Sequence, residues 1–333
     1  MLQQIFFSTK KCLKPVALVL LVGLLTACQR AVLDPAGDIA RQQRDIIYVS
    51  TGLMLLIIVP VLILIVVFAW RYRKGGQGTY DPKFDHSTVL ELAIWSAPLL
   101  IIMALGALTW SSTHLLDPFR TLRTKDETKP LVVQVVSLDW KWLFIYPEQG
   151  VATVNELVLP VGRPVRFDIT SSNMMNAFYA PTLAGMIYAM PGMKSQLHAV
   201  LNRAVESEGF SGNYSGAGFS DMRFILKGVS NQEYQRWIEA VRSGATTLAL
   251  AEYRKLLVPS ERVPVMRFAS VDGDLYRKIL ERCVEPGTTC MSQMNMGKMK
   301  MSQMGKEQSG SSMNMSSMST SQAGPSEMGH THE

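Results

Sequence analysis

Thioethers set two or three residues apart in "MNMGKMKM" and "MNMSSM", followed by the closing "HTHE", are soft donors of the kind that prefers Cu(I). Met294, Met296, Met299, Met301, His330 and His332 are therefore candidate copper ligands. The competing reading of the same stretch is a low-complexity extension that binds nothing. Upstream, Cys283 and Cys290 either close a short loop as a disulfide or remain two free thiols, and at that spacing they make a poor metal site by themselves. Glu91 stands at the edge of a long uncharged run, where an ionisable side chain either stays hydrated or takes part in ion movement. His86 reads as a solvated loop residue. His198, in the alternating run "SQLHAVL", reads as a packed or edge-strand side chain rather than a ligand.

The elements that must position these groups are legible from hydropathy. Lys10, Lys11 and Lys14 precede an apolar run from Pro15 to Leu25, which marks residues 1–27 as a secretory signal. Leu25-Thr26-Ala27-Cys28 resembles a bacterial lipobox, which implies cleavage before Cys28 and lipid on its thiol. After a periplasmic segment, 28–45, two uncharged runs at 46–70 and 92–116 are long enough to cross a hydrocarbon core of about 30 Å. Between them, 71–91 opens with Arg71, Arg73 and Lys74, and this basic cluster puts the loop on the cytoplasmic side. Pro60 and Pro98 fall inside the spans and each removes a backbone donor there.

From 117 to 229 short runs rich in Val, Ile, Phe and Trp alternate with Pro, Gly and Asn punctuation, which predicts a β-sandwich or small barrel. Residues 230–285 change to a helical period, with Tyr234, Trp237, Ile238 and Val241 on one face of the first helix, Ser230 or Asn231 as its cap and Gly244 as its stop. From 286 to 333 there is no Val, Ile, Leu or aromatic residue, so a disordered Met-rich tail is expected. The fold class is thus a membrane-anchored α+β chain. The net charge of +6 is scattered and not interleaved with aromatics along one face, which gives a nucleic-acid partner no support.

Several longer motifs carry a resemblance: "ELAIWSAPLL", "SLDWKWLFIYPEQGVATVNEL", "NAFYAPTLAGMIYAMPGM" and "YSGAGFSDMRF". Together with the order of lipobox, two spans and sandwich, they resemble subunit II of the haem–copper terminal oxidases, in the branch of the cytochrome bo-type ubiquinol oxidases. The resemblance implies a cupredoxin fold facing the periplasm of a bacterial inner membrane. It implies as partners a haem–copper subunit I, further small membrane subunits and the lipid bilayer. In relatives that oxidise cytochrome c, this domain holds two copper ions through a pattern like Cys-x-x-x-Cys-x-x-x-His-x-x-Met, because thiolate, thioether and imidazole suit copper.

Here Tyr214 is expected where the first Cys would stand and Asn176 where an upstream His would stand, which leaves Met222 as a lone ligand in a degenerate site. The chain is then expected to carry no cofactor and to receive no electrons from cytochrome c, the haems and copper lying in subunit I. Trp140 and Trp142 read as packing residues. By the same resemblance Glu91 occupies the cytoplasmic entrance of a proton-uptake channel in a proton-pumping ubiquinol oxidase of the aerobic respiratory chain. The rival reading is a free-standing membrane-anchored periplasmic binding protein or copper chaperone acting through the tail.

Overall fold

The computed structural model describes residues 31–76, 78, 87–120, 122 and 129–294. Cys28, His86, Met296, Met299, Met301, His330 and His332 lie outside the described residues.

Helix α1 (Asp38–Arg71) begins well before the uncharged run at Ile46, so the segment expected to precede the first span is helical in its last part. The reason lies in tertiary contact. Ala36 and Gly37 both donate their backbone N–H to the Thr182 carbonyl at 2.8 Å, Asn202 donates to the Ala36 carbonyl at 2.8 Å, and Ile39 and Ala40 are buried against the sandwich. Helix α2 (Thr88–Leu115) likewise starts before the expected boundary at Leu92, and this places Glu91 in its first turn. A negative charge there is favoured by the unpaired N–H groups of the helix start. Both helices are long and apolar enough to cross a membrane and leave nearly all of their apolar faces uncovered. Arg73 lies 5.2 Å over the Trp70 ring at the end of α1.

The sandwich has a six-stranded sheet in the order β12 (Met266–Phe268), β3 (Val151–Val154), β2 (Lys141–Tyr146), β1 (Leu131–Leu138), β5 (Pro164–Ser171), β8 (Ser195–Val200). Facing it is a five-stranded sheet in the order β4 (Glu156–Pro160), β10 (Arg223–Val229), β9 (Val205–Ser211), β6 (Asn176–Tyr179), β7 (Ile187–Ala189). Strands β1 and β5 run parallel with Ser137 opposite Ser171, while β1 and β2 run antiparallel with Val135 opposite Phe144. Between the sheets, Trp142, Phe144, Phe167, Phe178 and Phe224 form one aromatic cluster. Phe178 and Phe224 stack at 5.3 Å, and Trp142 meets Phe178 edge-on at 5.5 Å.

Helix α3 (Asn231–Arg242) starts at a capping box: Glu233 N–H donates to Ser230 Oγ at 3.3 Å and Ser230 N–H to Glu233 Oε2 at 2.9 Å. It turns Tyr234, Ile238 and Val241 into the core. After it come two short helices, as the helical period predicts, together with strands that it does not. Helices α4 (Leu250–Leu256) and α5 (Leu275–Leu280) are short, β11 (Thr247–Leu248) pairs with β13 (Ser270–Val271), and β12 extends the large sheet from its β3 edge. Tyr253, Leu275, Tyr276 and Ile279 cover Val136, Leu138, Leu143 and Ile145 on the outer face of that sheet. Strand β2 is therefore buried on both faces, which explains why "KWLFIY" reads as a continuous apolar run instead of an alternation.

Candidate functional site

The loop joining β9 to β10 carries the short 3₁₀ turn Ala217–Asp221 and leads into Met222, whose side chain is fully buried in the inter-sheet core. Its shape depends on Trp140, which adopts a positive φ of 64° at the β1–β2 turn and donates its indole N–H to the Ser215 carbonyl at 3.0 Å. The indole lies flat against Gly218, where a Cβ would come within 2.5 Å of the ring. Only glycine leaves room for that approach, so the "GAG" of the loop and the "DWKW" of the turn are one packing unit. Trp142 is wholly enclosed by the aromatic cluster. Both tryptophans pack the fold.

Beside Met222, whose carbonyl accepts from the Ser211 N–H, Asn176 and Ser211 satisfy each other, while the Ser215 hydroxyl is buried without a hydrogen-bond partner among the described residues. Asn176, at the start of β6, donates its amide to Ser137 Oγ at 2.7 Å, and its carbonyl oxygen accepts from Ser211 Oγ at 3.0 Å. Ser211 Oγ also accepts from the Ala177 N–H at 3.4 Å and lies 3.2 Å from the Asn213 carbonyl. Asn213 in turn donates to the Met175 carbonyl at 3.1 Å, tying the loop to the start of β6. Asn176, Ser137, Ser211 and Ser215 are all buried.

Tyr214 is corrected by this geometry. It is 75% exposed, with its ring 5.6 Å from Phe219, and it does not share the pocket of Asn176 and Met222. The side chain that meets Asn176 is Ser211. Counting the Cys-x-x-x-Cys-x-x-x-His-x-x-Met spacing back from Met222 lands on Phe219, Ser215 and Ser211, so the spacing itself carries this signal. One buried thioether, one amide and a hydroxyl engaged with that amide do not fit the dinuclear copper centre, whose pattern calls for thiolates and an imidazole. The pocket is a hydrogen-bonded core plug.

Of the other candidates, His198 is buried on edge strand β8, with Nδ1 3.1 Å from the Pro118 carbonyl. Cys283 and Cys290 are joined as a disulfide with their Cα atoms 4.7 Å apart. Glu281 lies beside them: among the described residues, its carboxylate and the two sulfurs form a group of ligand atoms within 4.8 Å of one another, but the sulfurs are already bonded. Met294 ends the described chain and is exposed.

Two charged side chains missed by the sequence reading fasten the C-terminal region to the sandwich. Glu156, its side chain 2% exposed, accepts from Arg267 Nε at 2.7 Å and Nη2 at 2.9 Å, with Lys227 Nζ at 3.4 Å. Burial alone would raise this carboxyl's pKa, yet the Arg267 hydrogen bonds and the two cations outweigh it and hold the group below the usual carboxylate range. Lys141, also buried, donates to Ser260 Oγ at 2.6 Å and the Val258 carbonyl at 2.9 Å. Burial lowers its pKa, opposed by Asp139. At the loop itself, Arg262 donates to Asp221 at 2.9 Å.

Comparison with known proteins gives a consistent set of matches. Residues 147–229 match the family "Cytochrome C oxidase subunit II, periplasmic domain", and residues 242–287 match "COX Aromatic Rich Motif". The chain is 46% identical over 260 residues to cytochrome bo(3) ubiquinol oxidase subunit 2 of Pseudomonas putida, covering 78% of this chain and 82% of the relative. It is 43% identical over 287 residues to ubiquinol oxidase subunit 2 of Acetobacter aceti, covering 82% and 93%. Among solved structures, the periplasmic domain of cytochrome oxidase subunit II from Bradyrhizobium japonicum aligns with 34% of this chain and 94% of its own, at 22% identity and a TM-score of 0.33.

Proposed function

Since the chain belongs to the ubiquinol oxidase subunit 2 family, within the haem–copper oxidases, we propose that it is the non-catalytic subunit II of a proton-pumping ubiquinol oxidase of the aerobic respiratory chain. It braces the haem–copper subunit I from the periplasmic side, while electrons pass from quinol to oxygen through redox centres in that partner. The observation that carries this reading is the Asn176–Ser211–Ser137 plug. A domain built to receive electrons from cytochrome c needs a metal in this loop, and here Asn176 and Ser211 are bonded to each other, with no thiolate or imidazole among Ser211, Ser215 and Phe219.

Glu91 supports a second contribution. It lies on the side marked by Arg71, Arg73 and Lys74, in the exposed first turn of an apolar helix, where a carboxylate can stay hydrated and collect protons for the partner subunit. Membership of a complex is favoured over a free-standing binding protein by the relatives, which are named as oxidase subunits. Lipid on Cys28 would add an anchor at the periplasmic face. Mass spectrometry of the mature N-terminus tests this, with an unmodified Cys28 counting against it.

The decisive experiment is oxygen consumption by the complex purified in mild detergent, with a soluble ubiquinol or reduced cytochrome c as donor. Turnover with quinol and none above background with cytochrome c is the expected result. Turnover driven by cytochrome c would overturn the reading.

A further inference from the structure

The disulfide that follows α5 has a third potential ligand beside it. A carboxylate oxygen of Glu281 and the sulfurs of Cys283 and Cys290 all lie within 4.8 Å of one another, and all three residues are half-buried. In the disulfide the two sulfurs are bonded to each other and are not free to ligate. As thiols they would be soft donors already gathered next to an oxygen donor, a set that a metal ion can use.

The sulfurs stay together after the bond between them opens only if other contacts hold the chain. Cys283 N–H donates to the Lys278 carbonyl at 3.0 Å, and Val284 is buried in the cluster that covers the outer face of the large sheet. The Val284 carbonyl accepts from Arg254 Nε at 2.9 Å and Nη2 at 2.8 Å. At the other end of the loop, the Cys290 carbonyl accepts from the Gln293 N–H at 3.0 Å and the Met294 N–H at 3.2 Å, and the Met291 N–H donates to the Glu281 carbonyl at 3.1 Å. That last bond ties the neighbour of Cys290 to the residue that supplies the carboxylate. None of these contacts uses a sulfur. The two cysteines are seven positions apart, and opening so short a loop releases less chain entropy than opening a long one.

The donor set selects the metal. Two thiolates and a carboxylate, with water in the fourth position, match the tetrahedral chemistry of Zn²⁺, for which both ligand types are ordinary. Cu(I) is satisfied by soft donors alone, and calcium and magnesium call for oxygen ligands. The carboxylate is itself oriented, because Ser292 Oγ donates to Glu281 Oε2 at 2.8 Å, the kind of outer contact that fixes a metal-binding group. Arg277 Nη1 lies 4.0 Å from the other carboxylate oxygen.

We propose that Glu281, Cys283 and Cys290 form a redox-gated Zn²⁺ site, closed to metal in the disulfide and opened by a dithiol reductant. A thiolate of the reductant attacks one sulfur and the Cys283–Cys290 bond breaks; the second thiol of the reductant then displaces the mixed disulfide. Two electrons and two protons thus end on the cysteines, and the reductant leaves as its own disulfide. Zn²⁺ displaces the two thiol protons to solvent as it binds. The site is separate from the Met222 pocket and from the quinol reaction, and the metal replaces the disulfide as the staple of this loop.

The test uses the purified complex, reduced with dithiothreitol and freed of it by anaerobic desalting. Iodoacetamide labelling of a portion, read by mass spectrometry, should mark both cysteines after reduction and neither before. Zn²⁺ is then titrated against zincon as competing chelator, with the Cys283→Ser/Cys290→Ser complex as background for zinc held elsewhere. Quinol turnover, expected to be unchanged, reports that each complex is assembled. The expected result is one more zinc in the reduced wild type than in the oxidised wild type or the serine variant, with two protons released as it binds. Glu281→Gln should weaken that zinc about tenfold or more. Cysteines that resist reduction in the assembled complex, zinc uptake by the reduced wild type no greater than by the serine variant, or undiminished affinity in Glu281→Gln would each overturn the proposal. Should the serine variant not accumulate, reduced wild type capped with iodoacetamide supplies the background.

Discussion

Ser211 shows how much one hydroxyl can decide. It completes the hydrogen bonding of a buried asparagine, and without it the Asn176 oxygen would face the core with no donor from this position. Ser211→Ala should lower stability by about 1–2 kcal/mol, the cost of orphaning a buried acceptor, read as a fall in the thermal midpoint of the purified complex. Tyr214→Ala serves as the comparison. Being exposed, it should stay within about 0.5 kcal/mol of wild type. If the two variants changed places, Tyr214 would be the residue that organises the pocket.

At the level of elements, the C-terminal region is fastened to the sandwich through strand β12 and through ionic contacts that cross between sheets. Glu156 on β4 joins Arg267 on β12 and Lys227 on β10. Because its carboxyl titrates lower in the folded chain than the roughly 4.3 of an unfolded glutamate, the contact contributes stability above that value. The contribution is lost as pH falls through the lower, folded-state pKa. Glu156→Gln should therefore cost on the order of 1–3 kcal/mol at neutral pH and flatten the loss of stability on acidification. Thermal midpoints measured from pH 7 down to about pH 3 in both proteins check this, and parallel curves would mean that the ion pair contributes nothing.

For the molecule as a whole, α1 links membrane to domain without a flexible joint, since its first turn is part of the sandwich core. The domain is thereby held to the helix itself, which suits the proposed brace better than a mobile carrier. Glu91 lies in the first turn of α2, at the end away from Leu115. If it feeds protons to the partner subunit, Glu91→Ala should lower quinol turnover several-fold while the complex stays intact on size-exclusion chromatography. Unchanged oxygen consumption and proton release would remove the role.

Long-range alternation and charge were enough to place two spans, a sandwich and a following helical region, because burial imposes periods of 2.0 and 3.6 wherever one face meets a core. A cap at Ser230 or Asn231 and the packing role of Trp142 were legible, and the structure decides for Ser230 with its Glu233 capping box. The pocket was only half legible. Asn176 and Met222 were picked out, but Ser211 and Ser137 become its partners through the pairing of β6 with β9 and the approach of β1, contacts between residues far apart in sequence. The start of α1, the strand role of residues 266–268 and the Glu156 clamp were hidden for the same reason. A helical period or a charged residue records what a segment can do alone, whereas its final use depends on which distant surface it covers, and that is settled only when the chain is packed.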